Sequence, residues 1–487
     1  MIFKKCFFLL CLLSLMACQQ QDANIARQDI RFGIAQAPIN LDPRYATDAA
    51  SARVNRLIYR ALVRFDGHYQ VQPDLASWQV IGPTQYRFTL GKAGRVFHGG
   101  TQLDASDVQA TYQSLLDLKD SPLSAEFSNI KQIKLLDKNT LDFYLERADL
   151  HFPSKLIIGI LPADKIKQGY DFSHHPIGSG PLKFLSWQNT LKLARVSDGQ
   201  KISLLEVKDP TVRILKLKRG EIDLLQGDLP PELVGYLKRQ ADLSVIESNG
   251  ANFSYIGFNL QDPVLSKPLV RRAIAHSIDR QVIIQQALVG GSREAGAILP
   301  PEHWAGNAHL TSYDYNPMLA KELLLQAGVS LPLKLVYKTS TDPQRLRLAT
   351  IMQAQMHEAG IDLEIKSLDW GTFFEDVKQG QFQLFGLTWV GINTPDVYAK
   401  AFASYNLPPK GFNRGRFSDV HLDSLLDKQD WQAVTTYIHE QLPYVPLWYE
   451  GQFVAVRHGI SQYQPKLDGN WDDLATIVMS SALKPTH

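Results

Sequence analysis

Histidine, serine and glycine residues of this sequence approach several catalytic motifs but complete none of them. His357-Glu358 begins like the helix of a zinc protease, but the second histidine of the metal pair is absent. Gly178-Ser179-Gly180-Pro181 lacks the Gly-x-Ser-x-Gly spacing that would place a serine nucleophile on a sharp turn. The sequence has no Gly-x-x-x-x-Gly-Lys-Ser/Thr loop, so nucleotide hydrolysis is not expected. These failures favour a protein that is not an enzyme.

His174-His175 is the remaining candidate for metal chemistry, because two imidazoles side by side could contribute metal ligands. The interpretation we favour is a polar loop in front of Pro176, since the other histidines are scattered along the chain. We therefore predict no metal site and no cofactor.

Composition and charge are those of a folded protein with several domains. The chain has 487 residues, of which 45% are hydrophobic and 21% are charged, close to the average for a soluble fold. This length allows a large core and suggests about three domain-sized units. The formal net charge is +2 and no basic run occurs, so a nucleic-acid partner is not expected.

The N-terminal segment has the pattern of an export signal. Lys4 and Lys5 precede an apolar run over residues 7–17, which is too short to span a bilayer. We therefore predict a signal peptide over residues 1–17.

The end of this segment also predicts a lipid anchor. Leu15-Met16-Ala17-Cys18 resembles a bacterial lipobox, which implies cleavage before Cys18 and lipidation of its sulfur. The other two cysteines, Cys6 and Cys11, would be removed with the signal peptide. Residues 18–28 are then a polar tether. The alternative is an ordinary signal peptide that is cleaved near the same point.

The pattern of apolar residues in the second half of the chain predicts alternating strands and helices. Apolar and polar residues alternate over residues 331–337 and again over 361–365, as in half-buried strands. Asp342-Pro343 offers an N-cap followed by proline at the first helical position, and residues 370–378 form a second helix candidate. An apolar strand follows over residues 382–389. This β-α-β-α-β order predicts a partly parallel sheet covered by helices.

The end of the last of these strands is a candidate binding edge. In open α/β sheets, ligands bind beyond the carboxyl ends of the strands. The segment that directly follows Trp389 reads Val390-Gly391-Ile392-Asn393-Thr394-Pro395-Asp396.

Short motifs distributed from about residue 30 to 475 resemble those of one family in both order and spacing. In chain order, they are Leu41-Asp42-Pro43, residues 58–65, residues 72–78, residues 86–90, residues 96–100, residues 103–108, residues 176–181, residues 270–280 and residues 442–447. The ordered set resembles the peptide-binding solute receptors of bacterial ABC importers, the extracellular solute-binding proteins of family 5. Within these motifs, we expect Arg271 and Arg272 to pair on a helix surface.

This resemblance implies the two-lobed periplasmic-binding-protein fold of class II or cluster C type, an α/β fold in which two lobes close over a ligand. It also implies an additional α+β domain inserted in the N-terminal part. The expected ranges are 29–55, 175–256 and 451–487 for lobe one, 56–174 for the inserted domain, and 257–450 for lobe two.

The resemblance further implies an extended ligand whose backbone hydrogen bonds to protein segments of both lobes, like an added strand. Matched by position, the expected ligand-binding residues are Tyr45, Thr47, Asp48 and Ala49 in lobe one, and Trp389, Val390, Gly391 and Asn393 in lobe two.

One position departs from the family pattern. Three residues after the lobe-two tryptophan, peptide binders commonly carry an aspartate that pairs with the α-amino group of the ligand, whereas this chain has Ile392. An apolar side chain cannot neutralise a buried ammonium group. Asp396 or Asp48 could substitute, although Asp396 also fits a helix start. A blocked peptide, a cell-wall peptide fragment or a non-peptide solute therefore becomes more plausible.

Three further residues are candidates for contact with the ligand. Arg414 and Arg416 could grip a carboxylate or a phosphate. Their alternative is a loop that pairs with Asp419 or Asp423. Tyr398 could stack on the ligand, but it could equally belong to the core.

The expected function is the capture of peptides or peptide-like solutes and their delivery to ABC permease subunits, without catalysis. We expect a monomer in the bacterial cell envelope, held to the membrane by the lipid on Cys18 and facing the periplasm or the outside of the plasma membrane. The alternatives are a receptor for a nickel complex, haem or another small solute, and a lipoprotein sensor or chaperone that does not transport. A hydrolase is the least favoured.

Overall fold

The computed structural model describes residues 29–46, 48–118, 121, 123–408 and 411–480. The predicted signal peptide, Cys18 and the tether lie outside the described residues. The strands are β1 Asp29–Ile34, β2 Val63–Phe65, β3 Val71–Pro73, β4 Ala76–Gly82, β5 Gln85–Leu90, β6 Ile130–Leu135, β7 Thr140–Leu145, β8 Leu182–Trp187, β9 Thr190–Arg195, β10 Lys201–Glu206, β11 Leu224–Gln226, β12 Leu243–Phe258, β13 Arg293–Glu294, β14 Leu333–Ser340, β15 Ile361–Leu368, β16 Leu384–Trp389, β17 Tyr444–Arg457, β18 Ile460–Ser461 and β19 Val478–Met479.

The α-helices are labelled in the same way. They are α1 Ala49–Ile58, α2 Ala105–Asp117, α3 Phe152–Lys155, α4 Ala163–Lys167, α5 Pro210–Lys218, α6 Pro231–Lys238, α7 Pro268–His276, α8 Arg280–Ala287, α9 Pro317–Gln326, α10 Pro343–Glu358, α11 Trp370–Gln379, α12 Asp396–Phe402, α13 Val420–Lys428 and α14 Trp431–Gln441.

One mixed sheet with helices on its faces runs through two lobes, as the predicted α/β class requires. Its strand order is β15-β14-β16-β12-β17-β11-β1-β10-β9-β8, and β13 adds to β17. The long antiparallel strands β12 and β17 belong to both lobes. Their register shifts between Ser248 and Asn252, where Gly250 faces the backbone of Glu450 so closely that a Cβ atom would collide with it. We predict that this shift marks the hinge between the lobes.

Lobe one was predicted to extend to residue 256. Phe253 and Tyr255 share a buried cluster with Tyr449 and Tyr444, which lie in the range predicted for lobe two. The domain limits stay predictions.

The predicted β-α-β-α-β unit is confirmed in lobe two, where it consists of β14, α10, β15, α11 and β16. β14 pairs in parallel with both β15 and β16. The side chain of Asp342 accepts a hydrogen bond from the backbone N–H of Arg345 at 2.9 Å, so it caps α10 as predicted. Gly380 ends α11 with φ +78°, a conformation that glycine adopts without strain.

Residues between α1 and β8 form a separate α+β unit with its own core. Four antiparallel strands in the order β4-β5-β7-β6 pack against α2. Asp104 and Asp107 form a reciprocal capping box at the start of α2. Aromatic rings fill the space between sheet and helix, with Phe143 in edge-to-face contact with both Phe88 and Tyr112.

Candidate ligand-binding site

The candidate binding edge begins where β16 leaves the sheet. Trp389 is the last residue of β16 that pairs with β12, opposite Phe253. Val390 is 51% exposed, and Gly391 has φ +69° with open space around its Cα. Because these two residues lie beyond the ladder, their backbone groups can pair with an extended ligand.

The next two residues turn back into lobe two. Ile392 packs partly buried against the core. The carbonyl oxygen of Asn393 accepts a hydrogen bond from Nε2 of His303 at 3.1 Å, while Nδ1 of His303 accepts one from the backbone of Ala305. These bonds identify the neutral imidazole with its proton on Nε2. The hydrogen bond from His303 therefore holds the candidate binding edge at Asn393.

Asp396 is the first residue of α12, where the helix dipole favours a carboxylate. Its Oδ2 also lies 3.8 Å from Nζ of Lys155, which belongs to the inserted domain. Asp396 therefore stands at a helix start, which was the alternative to a ligand contact. A ligand ammonium group at Asp396 would compete with Lys155.

Two of the predicted ligand contacts, Tyr398 and Arg416, make hydrogen bonds within the protein. Tyr398 is 0% exposed, and its hydroxyl accepts a hydrogen bond from the backbone of Leu299 at 3.3 Å, so it belongs to the core. The guanidinium of Arg416 donates to the carbonyl oxygens of Arg414 and Lys378, at 2.8 and 3.1 Å. Arg416 therefore holds its own loop against the end of α11.

Arg414 lies among aromatic rings beside the binding edge. Its guanidinium carbon is 5.0 Å from the ring centroid of Phe374, 5.3 Å from that of Trp389 and 5.8 Å from that of Phe412. Trp389, Phe412 and Arg414 border a small pocket of about 20 Å³ that is partly open to solvent. Burial raises the pKa of Tyr255 in the pocket wall, and the positive charge of Arg414 acts in the opposite direction.

The predicted lobe-one segment lies at the start of α1. Asp48 caps this helix, because its Oδ1 accepts a hydrogen bond from the backbone of Ser51 at 2.8 Å. Ala49 is exposed and Tyr45 is partly buried, while Thr47 lies outside the described residues. We predict that this segment and residues 389–391 face one common groove.

A polar cluster between β12, β16 and β17 was not predicted from the sequence. The carboxylate of Glu450 accepts hydrogen bonds from Ser254 at 2.7 Å and from Thr388 at 3.0 Å. Arg345, in the first turn of α10, donates to Thr388 at 3.3 Å. The cluster therefore joins β12, β16 and β17 beside Trp389. The run Glu450-Gly451-Gln452 inside a strand of mostly apolar residues was the available signal.

The inserted domain contacts lobe two through aromatic and histidine side chains. The ring of Tyr69 stacks on His303 with centroids 5.1 Å apart. The backbone of Trp304 donates to the carbonyl of His68 at 3.3 Å. His151 hydrogen bonds to Gln429 at 3.1 Å. The inserted domain thus contacts His303, which hydrogen bonds to Asn393 of the candidate binding edge.

Within the part of the chain that the structure describes, no group of three or more histidine, cysteine, aspartate or glutamate side chains is arranged to hold a metal ion. None of the helices in the described ranges is both long and apolar enough to cross a membrane.

Comparisons with known proteins agree with this architecture. A di/tripeptide-binding protein of Pseudomonas aeruginosa is 27% identical to this chain, over 88% of this chain and 91% of the relative. A heme-binding protein A of Haemophilus influenzae is 25% identical, over 89% and 88%. Among solved structures, the periplasmic binding protein DppA of Helicobacter pylori in complex with the peptide STSA has a TM-score of 0.74 and 25% identity, over 93% of this chain and 98% of that chain.

A family model matches residues 70–407, which is more than half of the chain. The predicted two-lobed fold is therefore confirmed. The chain belongs to the bacterial extracellular solute-binding proteins of family 5.

Proposed function

We propose that this chain is a lipid-anchored receptor that captures peptides or peptide-like solutes between its lobes and delivers them to the permease subunits of an ABC importer. The observation that carries this proposal is the backbone of Val390 and Gly391, which leaves the sheet beside the hinge of a two-lobed protein. The likeness to a di/tripeptide-binding protein along most of the chain supports peptides as the ligand class.

Recognition through the backbone explains how one groove can accept peptides of different sequence. Each ligand N–H or C=O that pairs with the edge contributes on the order of 1 kcal/mol. Such pairing does not depend on the side chains of the ligand. The exposed edge at Val390 and Gly391 supplies the backbone groups, and closure of the lobes would exclude competing water.

The N-terminus of the ligand is not held by a carboxylate at position 392, because that residue is Ile392. Asp396 already faces Lys155, and Asp48 caps α1. We therefore propose that N-terminal acetylation of a tripeptide changes its affinity by less than about threefold, a difference below 1 kcal/mol. A loss of binding greater than this on acetylation would contradict the proposal.

The role of the edge is tested by isothermal titration calorimetry. The ligands are tri-alanine and the tightest binder found in a panel of di- and tripeptides. Val390→Pro removes one backbone donor, and we expect it to weaken peptide binding about tenfold. The matched control is Val420→Pro, because Val420 is exposed at the first position of α13, where proline is tolerated. Equal affinities of the two variants would refute backbone recognition at Val390.

The second candidate is a receptor for haem, which the likeness to a heme-binding protein supports. Native mass spectrometry of the protein as purified separates the candidates, because a retained ligand appears as a mass increment. A peptide increment supports the leading proposal, and a haem increment supports the second. Recovery of an added peptide in cleaved form would contradict a role without catalysis.

Membrane attachment through Cys18 is a separate part of the proposal. We expect wild-type protein in the membrane fraction, with an acylated N-terminal cysteine detectable by mass spectrometry. Cys18→Ser should remain unprocessed or become soluble. Unchanged anchoring of a processed Cys18→Ser variant would refute lipidation.

A further inference from the structure

The inserted domain meets lobe two at an interdomain contact made by Tyr69, His151, His303 and Gln429. The rings of Tyr69 and His303 stack with their centroids 5.1 Å apart, and the two residues are only 4% and 3% exposed. Nε2 of His151 lies within hydrogen-bond distance of Oε1 of Gln429, at 3.1 Å. Each of the two units therefore contributes two side chains to the contact.

Two residues of this interdomain contact have a left-handed backbone, which residues other than glycine rarely adopt. The φ angle is +59° at Tyr69 and +55° at Gln429. Glycine would adopt either conformation without strain, but it would have no side chain to reach the other domain. Strained residues of this kind cluster at functional sites. The left-handed backbone thus indicates that the side chains of Tyr69 and Gln429 matter at this boundary.

His303 connects the interdomain contact to the candidate binding edge. Its ring stacks on Tyr69, and its Nε2 donates a hydrogen bond to the carbonyl oxygen of Asn393 at 3.1 Å. Asn393 lies two residues after Gly391, in the segment that has left the sheet. Because Val390 and Gly391 lie beyond the paired part of β16, the hydrogen bond at Asn393 restrains the path of their backbone.

A second side chain of the inserted domain reaches the same segment. Nζ of Lys155 lies 3.8 Å from Oδ2 of Asp396, at the start of α12. Lys155 is held in this position by Asp149 of its own domain, at 2.7 Å. The inserted domain therefore contacts the segment after β16 directly at Asp396, and through His303 at Asn393.

The inserted domain is also attached to residues in the ranges predicted for lobe one. The backbone of Gly180 donates to the carbonyl oxygen of Ile58 at 2.8 Å, and a Cβ atom at Gly180 would collide with that backbone. Ser121 donates to the carbonyl oxygen of Arg44 at 2.7 Å, and Arg44 donates to Ser114 at 3.1 Å. A movement of lobe two relative to lobe one would therefore change the interdomain contact.

We propose that the inserted domain positions the binding edge for its ligand, with Tyr69 acting through His303 on Asn393. Tyr69 and His303 are positioning residues, because neither needs to touch the ligand. The inference rests on the proposed function and adds a determinant of affinity that lies outside the edge itself. Docking of the inserted domain and binding of the ligand then favour each other by the same factor, since coupling between two sites is reciprocal.

The test uses the full-length mature protein as wild type and as three single variants. Tyr69→Gly removes the ring and relieves the left-handed backbone, so a loss of binding cannot be due to added strain. Tyr69→Phe keeps the ring that stacks on His303. Gln462→Gly is the matched control, because Gln462 has φ +58° and is exposed outside the interdomain contact.

Isothermal titration calorimetry measures the affinity of each protein for tri-alanine and for the tightest binder of the di- and tripeptide panel. We expect Tyr69→Gly to weaken binding about tenfold. Tyr69→Phe should retain the affinity because it keeps the stack, and Gln462→Gly should bind like the wild type. Tyr69→Asn is a second variant without the ring, since asparagine also tolerates the left-handed backbone, and it should behave like Tyr69→Gly.

A double-mutant cycle with His303→Leu tests the path of the effect. The leucine removes the N–H group that donates to Asn393, so His303→Leu should also weaken binding. If Tyr69 acts through His303, the double variant should bind no more weakly than the weaker single variant, because both changes break one connection. Effects that add in full would show that Tyr69 acts by another route and would overturn the inference.

Three other results would contradict the inference while leaving the proposed function intact. One is equal affinity of Tyr69→Gly and the wild type. Another is a loss in Tyr69→Phe as large as in Tyr69→Gly, because the stacked ring would then not be the cause. The third is the same loss in Gln462→Gly. A wild type that binds no peptide of the panel would instead refute the proposed function, and the inference with it, so the two failures are distinguishable.

Discussion

His303 gives the contact between lobe two and the inserted domain a calculable pH dependence. The residue is 3% exposed, stacks on Tyr69 and hydrogen bonds to the carbonyl of Asn393 through Nε2. Burial lowers the pKa of His303 to about 4, and the hydrogen bond to Asn393 acts in the opposite direction. Nδ1 accepts a hydrogen bond from Ala305, so protonation would also break that bond.

Because the pKa of His303 differs between the folded and the unfolded chain, the free energy of unfolding depends on pH. In the unfolded chain, the pKa of a histidine is about 6.5. As the pH falls below this value, the unfolded state binds a proton that the folded state refuses until about pH 4. The contribution of His303 to stability is therefore fully present above about pH 6.5 and is lost as the pH falls towards 4. The loss is about 2 kcal/mol at pH 5 and on the order of 3 kcal/mol in full.

Urea denaturation at pH 7.5 and at pH 5.0, followed by tryptophan fluorescence, measures this loss. Between the two pH values, the wild type should lose about 2 kcal/mol more than His303→Gln, which cannot titrate. The control variant His458→Gln removes an exposed histidine and should follow the wild type. If His303→Gln and the wild type lose the same free energy to within about 0.5 kcal/mol, the burial argument for His303 is wrong.

Three further substitutions test local parts of the structure. Asp48→Ala removes the cap of α1 and should lower the free energy of unfolding in urea by about 1 kcal/mol; no change would mean that the cap does not stabilise α1. Arg271→Met leaves the carbonyls of Leu265, Ser266, Gln441 and Leu442 without their donor and should cost about 3 kcal/mol in the same assay, whereas a cost below about 1 kcal/mol would contradict this role. Tyr449→Phe removes a buried hydroxyl whose one proton is shared between the carbonyl oxygens of Ala297 and Leu299. A calorimetric scan should show a lower Tm, equivalent to about 1 kcal/mol, and an unchanged Tm would speak against this hydrogen bond.

Several elements of lobe two could be predicted because their signals are local. The Asp342-Pro343 pair predicted the start of α10, and the alternating residues on either side predicted β14 and β15. Caps and periodic patterns depend on residues a few positions apart, so the sequence contains all the information they need. The order of these elements then indicated the edge after Trp389 as a binding segment.

Residues whose role depends on distant partners were not predictable in this way. Arg271 was expected on a helix surface, but the structure buries it against the carbonyls at the end of α14. The sequence was compatible with either a ligand contact or a core position for Tyr398, and the hydrogen bond from the backbone of Leu299 holds it in the core. In both cases the deciding contact joins residues about a hundred or more positions apart, whose approach no local pattern encodes.

The sequence by itself determined the class of fold, the family motifs, several helix starts and the segment proposed as the binding edge. Only the tertiary structure decided that the register of β12 and β17 shifts between Ser248 and Asn252, that Glu450 joins Ser254 and Thr388, and that Arg414 lies among aromatic rings without an acidic partner within the described residues. The reason is physical: strand pairing and helix capping are read from neighbouring residues, whereas burial and charge compensation depend on which distant surfaces meet.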